Sequence, residues 1–184
     1  MKTRIAILLL IIFSVIGLNA KAQIVNMESQ RFHRDTTGWS GSLSGNLSIN
    51  DYGRQVFAAN VYAHAQYQNK KSLYLLLGNY GFLKGAGQAF IDNKFLHFRY
   101  NYKINSYLRW EAFTQVQNNV ITKIQSRFLA GTGPRFKVSG TKEFHLYIAS
   151  LVMHETEKEK DKPQSDNLWR SSSYISFTYL PGEN

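Results

Sequence analysis

The chain alternates. From Trp39 to Asn50 the odd positions are Trp39, Gly41, Leu43, Gly45, Leu47 and Ile49, while every even position is serine or asparagine. A period of two marks a strand with one apolar and one polar face. Asp51-Tyr52-Gly53-Arg54 reads as a turn. Gln55–Gln68 then sets Phe57, Ala59, Val61, Ala63, Ala65 and Tyr67 against Asn60, Tyr62, His64 and Gln66. The pattern predicts further strands over 72–83 (with mixed faces), 93–102 and 107–117. In the last two, Leu96, Phe98, Tyr100, Tyr102, Leu108, Trp110, Ala112 and Val116 oppose His97, Arg99, Asn101, Arg109, Glu111, Gln115 and Gln117. A sixth strand follows Asn118-Asn119, with Lys123, Gln125 and Arg127 as its polar row and Pro134 marking a bulge or edge. Residues 143–153 and 169–180 supply the last two, with Ile175, Phe177 and Tyr179 opposite Arg170, Ser172, Ser176 and Thr178. The expectation is an all-β antiparallel meander of about eight strands.

A meander of amphipathic strands leaves two open edges unless it closes, so a barrel is expected. A lipocalin-like carrier turns the apolar face inward, and an outer-membrane barrel turns it to lipid. Periodicity alone does not separate them. Strand length and the aromatics do. Runs of roughly 10 to 14 residues are long enough for a tilted strand to cross a hydrocarbon layer. With the N-terminus in the periplasm, Trp39, Tyr74, Tyr107 and Trp110 begin strands and Tyr67, Tyr100, Tyr102 and Tyr179 end them. All eight then gather at the periplasmic rim, as an aromatic girdle does. The same topology places residues 51–54, 84–92, 118–119 and 154–168 outside as loops. The predicted fold is therefore a meander closed into a transmembrane β-barrel.

The N-terminal end agrees. Lys2 and Arg4 precede an apolar run from Ile5 to Leu18, and Ala20-Lys21-Ala22 forms a small-x-small site, so residues 1–22 read as a secretory signal cut before Gln23. Residues 23–37 become a periplasmic N-terminal segment and 38–184 the barrel domain. With Lys2, Arg4 and Lys21 removed, the net charge of +10 falls to +7. Export makes nucleic acid an unsuitable counter-charge. Outer-membrane lipid and lipopolysaccharide phosphates take that place, and barrel-assembly machinery is the other expected partner. The chain has 184 residues, enough for one domain, and 14% aromatics with 3 prolines, which argues against disorder. It has no cysteine, which excludes disulfides, thiolate metal sites and a lipidated N-terminal Cys.

Candidate chemistry is sparse. The inward rows collect His64, His97, Arg99, Arg109, Glu111, Lys123, Arg127 and Arg170, a basic polar lumen in which five cations face one carboxylate. An eight-stranded interior is filled by side chains, and unpaired charges there are costly. A hydrated interior, an anion-binding lumen or a different inward assignment after Pro134 each relieves the imbalance. The acids of 154–168 (Glu155, Glu157, Glu159, Asp161 and Asp166) alternate with lysines and read as a solvated loop. His64, His97, His145 and His154 offer partners for serines, yet G-x-S-x-G is missing. Lys158 stands where H-E-x-x-H needs its second histidine after His154-Glu155. Gly85-Ala86-Gly87 and Gly131-Thr132-Gly133 read as turn and bulge glycines rather than a phosphate loop. No catalytic, cofactor-binding or metal-ligating residue is assigned, and no cofactor is expected. The expected function is a non-enzymatic outer-membrane barrel of structural or passive-channel, porin-like type. A lipid-modifying outer-membrane enzyme and a periplasmic lipocalin-like carrier are the alternatives.

Several segments carry a resemblance. Gln23-Ile24-Val25-Asn26-Met27-Glu28-Ser29 and Asp35-Thr36-Thr37-Gly38-Trp39-Ser40-Gly41 are two of them. Leu108-Arg109-Trp110-Glu111-Ala112-Phe113-Thr114-Gln115 and Gly131-Thr132-Gly133-Pro134-Arg135-Phe136 are the others. With them the chain resembles the uncharacterised family of salt-induced outer-membrane proteins of Gram-negative bacteria, over nearly all of its mature length. The resemblance implies an outer-membrane β-barrel and carries no catalytic residues. Members of that family continue for several more strands and finish near an aromatic residue, whereas this sequence ends Leu180-Pro181-Gly182-Glu183-Asn184. A shortened gene, a fragment and a true eight-stranded member all fit.

Overall fold

A computed structural model of the protein describes residues 37–51, 53–140 and 144–179. The expected signal, most of the segment over 23–37 and the last five residues lie outside them. The described chain forms eight strands: β1 (Gly38–Asp51), β2 (Gln55–Gln68), β3 (Ser72–Gly85), β4 (Gln88–Lys103), β5 (Leu108–Asn119), β6 (Ile124–Gly140), β7 (Phe144–Glu159) and β8 (Asp166–Tyr179). They pair antiparallel in chain order within one sheet. The all-β meander read from the alternation is this sheet. Among the described residues no helix is long and apolar enough to cross a membrane.

The registers carry one parity across the whole sheet. Ser44, Tyr62, Asn79, Phe95, Gln117, Arg127, Glu157 and Asp166 stand in a single row through all eight strands. On the opposite face, Trp39, Tyr67, Tyr74 and Tyr100 form another row, with successive ring centroids 5.1, 6.2 and 4.9 Å apart. Tyr102 pairs with Trp110 one step further along the same rim. Phe57 meets Phe82 at 5.9 Å on the same face near the other rim. The sequence-based reading gathered aromatics at one rim alone; the register adds this second group.

The sheet curls toward its polar face. In a flat sheet β5 and β8 stand three strand spacings, roughly 14 Å, apart. Yet Tyr174 on β8 hydrogen-bonds Glu111 on β5. Arg99 on β4 also lies over the Tyr174 ring, 5.9 Å from its centroid. Phe113, Leu129, Ala149, Leu151 and Met153 fill the concave side beneath these polar groups. A second apolar patch, Leu75 and Leu77 with Leu73 and Phe95, lies on that side of β3 and β4. The convex face stays open: Trp39, Leu43 and Phe177 keep 79%, 78% and 74% of their surface.

Closure is where the structure departs from expectation. Among the described residues β1 pairs with β2 alone and β8 with β7 alone, so the sheet is an open curl and not a barrel. The cause lies in the side chains. Inward residues of β4–β8 reach across the curl with long guanidinium, carboxylate and phenol groups. β1 offers only serines and asparagines on that face, too short to draw the edge inward.

Three turn readings are also corrected. Residues 84–92 are no loop: β3 and β4 meet at Ala86-Gly87, both with positive φ (50° and 81°), as a two-residue hairpin demands. The link at 118–119 is strand, and residues 120–123 make the turn. There Asn119 Oδ1 accepts from the amides of Ile121 (2.9 Å) and Thr122 (3.2 Å). The charged loop over 154–168 shrinks to 160–165, because β7 runs on to Glu159 and β8 starts at Asp166. Pro134 makes no bulge. Its register with Trp110 on β5 is kept, and pairing with β7 lapses at Gly133 and Pro134, then resumes at Arg135–Ala149 without a shift.

Candidate functional site

The concave face of β4–β8 holds the protein's concentration of buried polar chemistry. Strand parity places it there: 97, 99, 109, 111, 127, 135, 155 and 170 all fall on inward positions. Glu111 is 0% exposed and Arg99 5%. Arg99 Nη1 lies 3.0 Å from Glu111 Oε1, and Tyr174 donates its hydroxyl to Glu111 Oε2. Both carboxylate oxygens are therefore engaged, which is what allows a buried charge to persist. The Arg99 guanidinium also lies 5.5 Å from the Phe113 centroid. Arg135 stacks 4.2 Å from the Tyr147 centroid, and Arg109 approaches the same ring at 5.2 Å.

A second cluster lies two rows away. Arg127 Nε donates to Glu155 Oε1 at 2.6 Å and stands 3.1 Å from Glu157 Oε2. Arg170 Nε approaches Glu155 Oε2 at 2.5 Å, as a charge contact off the N–H axis rather than an aligned hydrogen bond.

A directed hydrogen-bond chain leaves the first cluster. Arg99 Nε donates to His97 Nε2 (3.3 Å), so the imidazole carries its proton on Nδ1 and donates it to Gln115 Oε1 (3.0 Å). Gln115 Nε2 then donates to Gln117 Oε1 (2.9 Å). Every link runs one way, away from Glu111.

The structure thus brings together His97, Arg99, Arg109, Glu111, Arg127 and Arg170 on one face, as their alternation predicts. Lys123 is the exception. It sits in the 120–123 turn with φ 59° and reaches Asp161 at 2.7 Å on the exposed rim. Three participants escape the sequence reading: Glu155, Glu157 and Arg135. The acids were grouped with a solvated loop, although their i, i+2 spacing continues the strand period. With Lys123 on the rim, these additions change the inward count from five cations against one carboxylate to five against three.

The remaining histidines do not converge. His64 faces Ser42 on β1 and Leu77 on β3 in register, so no carboxylate stands beside it in that row. His154 points to the convex face, its ring 5.0 Å from that of Trp169. The acids of the outer turn are held by lysines: Asp161 by Lys123, and Glu159 and Asp166 by Lys162 at 2.8 and 3.2 Å. Among the described residues no group of three His, Asp or Glu is arranged to hold a metal ion. On the concave face Glu111 is held by Arg99 and Tyr174, Glu155 by Arg127 and Arg170, and Arg109 and Arg135 lie against the Tyr147 ring.

Residues 53–184 match the profile of a family described as "Protein of unknown function, DUF481". No curated protein and no solved structure matches the chain.

Proposed function

The chain belongs to the DUF481 family of proteins of unknown function, and from that premise we propose that its sheet is the wall of an outer-membrane β-barrel of structural or passive-channel type. The observation that carries this reading is the sense of the curl. The charged face is concave and packed, and the apolar face is convex and open. A soluble carrier of apolar ligands needs the opposite sense. In water, a convex face bearing Leu43, Leu47, Val61, Leu76, Leu96 and Ile175 is a large unsatisfied apolar surface; in lipid it is the normal exterior.

The spacing of the aromatics supports the same reading. Tyr67 and Phe57 mark the two rims on β2. Ten residues at about 3.4 Å each make roughly 34 Å of strand. Tilted by about 40°, that strand spans a vertical distance of roughly 25 Å, the height of the apolar band of such barrels. Lipid then covers the outward rows, outward-facing Lys84 and Lys94 meet lipopolysaccharide phosphates near the outer rim, and barrel-assembly machinery inserts the chain. Both edges must close in that setting, because unpaired strand groups are not tolerated in hydrocarbon. The ion-paired interior of β4–β8 favours a structural barrel over an open pore on that side.

Fractionation of cells expressing the chain tests the proposal. The protein is expected with the outer membrane, extracted only by detergent, and with a gel mobility that changes on boiling. Recovery in the soluble periplasm without detergent would overturn the reading in favour of the carrier. Hydrolysis of phospholipid or lipopolysaccharide by the purified protein would favour the enzyme.

A further inference from the structure

The concave face has two unlike halves. Every Arg, Lys, Asp and Glu among its described inward residues belongs to β4–β8. The inward rows of β1–β3 carry none: they are serines, asparagines, glutamines, Tyr62, His64 and aliphatic residues. A pocket of about 600 Å³ opens against this uncharged half, lined by Ser44, Tyr62, His64, Asn79, Phe95 and Gln117 among others. That volume lies within the usual range of small-molecule sites.

We propose that this pocket binds a short neutral oligosaccharide. Three observations support that chemistry. The inward lining is uncharged and mixed, with Ser42, Ser44, Tyr62, His64, Asn79 and Gln117 beside Leu77 and Phe95. Lys94 also borders the pocket, yet its ammonium belongs to the convex side, 5.9 Å from the Tyr80 centroid and 3.3 Å from Asp92. Arg127, next to Gln117 in register, is already held by Glu155 and Glu157, so an anionic ligand meets no uncommitted counter-charge, and an acyl chain would strand several amides and hydroxyls without partners. Ser44, Tyr62 and Asn79 occupy consecutive strands of one row at about 4.8 Å spacing. A ligand laid across them meets a polar group at each step, a repeat comparable to a pyranose unit. Tyr62, 58% exposed, and Phe95 add the rings against which the apolar faces of sugars pack.

The third observation concerns direction. The one-way chain Arg99–His97–Gln115–Gln117 ends with Gln117 Oε1 occupied as an acceptor. Gln117 is thereby fixed with its amide hydrogens as the group available at the pocket edge. The Nε2 hydrogens suit an acceptor, such as a hydroxyl or ring oxygen. Because Gln115 holds it in place, little rotamer freedom is lost on binding. This inference goes beyond the outer-membrane reading and needs only the concave face of β1–β5.

The test is calorimetric titration of the full chain, folded in zwitterionic detergent, with maltotriose, and in parallel with trigalacturonate as an anionic trisaccharide of equal length. Maltotriose is expected to bind and trigalacturonate not to. Tyr62→Ala and Gln117→Glu should each weaken maltotriose about tenfold, the effect of losing one contact of this type. Lys162→Ala, on the outer turn, should bind unchanged. Circular dichroism checks that each variant keeps its strands, and Gln117→Glu, nearly isosteric, serves if Tyr62→Ala does not fold. Absence of maltotriose binding by folded protein, equal binding of trigalacturonate, or unaltered binding by both variants would overturn the proposal.

Discussion

Tyr174 on β8 donates its hydroxyl to Glu111 on β5, sixty-three residues earlier in the chain (|i−j| = 63). This bond spans three strand spacings and joins β5 to β8 across the curl. Replacing Tyr174 by Phe keeps the ring that faces Arg99 and Arg135 but removes the donor. The expected cost is roughly 1–3 kcal/mol, that of leaving a buried acceptor short of a partner. Glu111→Ala should cost more, about 3–5 kcal/mol, because it removes the charge that pairs with buried Arg99. Urea unfolding of the detergent-folded protein measures both. A Tyr174→Phe midpoint equal to that of the parent would show that the bond contributes nothing.

Two glycines make a contrasting pair. A Cβ built at Gly133 falls 2.3 Å from Ser150 O and 2.7 Å from Leu151 Cα, backbone atoms that have little room to move. At Gly78 the nearest contact is the Ala63 methyl at 3.7 Å. Gly133→Ala is expected to destabilise by roughly 2 kcal/mol or more. Gly78→Ala should be close to neutral. Comparing the two unfolding midpoints checks this, and equal effects would contradict the close approach of β6 and β7 at Gly133.

The outer turns carry a small pH dependence. The hydrogen bond and charge of Asp161 hold the Lys123 ammonium above its ordinary value, and Lys123 holds the Asp161 carboxyl below its own. A depressed carboxyl contributes above its ordinary value of 3.8 and loses that contribution as pH falls through its folded value. A raised ammonium contributes below 10.5 and loses it as pH rises through its folded value. The pair therefore stabilises across neutral pH and fades at both extremes. Both groups are solvent-exposed, so the effect should shrink in high salt. Double-mutant cycles with Lys123→Met and Asp161→Asn, at low and high salt, measure it.

Closure of the edges can be read with cysteines, since the chain has none of its own. Strands β1 and β8 run in opposite directions, so they meet as an antiparallel pair if the curl closes. Ser42→Cys combined in turn with Ser172→Cys and Ser176→Cys should give an intramolecular disulfide in membranes for the combination in register. Crosslinks between chains would instead mean that copies share their edges. Absence of any crosslink would mean that further strands separate β1 from β8.

Much of this geometry was legible in the alternation. The two faces of β1, β2, β4, β5 and β8 and the polar row of β6 follow from residue parity, and with them the convergence of Arg99, Arg109, Glu111, Arg127 and Arg170. Strand ends were harder. Gly85 and Gly87 suggested a loop, because an alanine at positive φ between them is uncommon and only the register reveals the tight hairpin. Glu155 and Glu157 looked solvated because charge usually goes to water; their inward placement depends on Arg127 and Arg170 arriving from neighbouring strands. Arg135 went unnoticed beside Pro134, whose effect on pairing is a local lapse and not a change of parity. Closure was argued from the danger of an open edge, but the short side chains of β1 give the curl nothing to grip.

The pairing of each strand with its neighbour in the chain has a consequence for assembly. Hairpins joined by short turns can be added one after another, each with little loop entropy to overcome. The bonds that bend the sheet are different, because Glu111 must wait for β8 before Tyr174 can reach it. Zippering is local and early, and bending is long-range and late. A chain zippered but not yet bent would be a flat ribbon with two long edges and an uncovered apolar side, a form open to the wrong partners. The residues that shape the finished curl therefore also set how long that ribbon lasts.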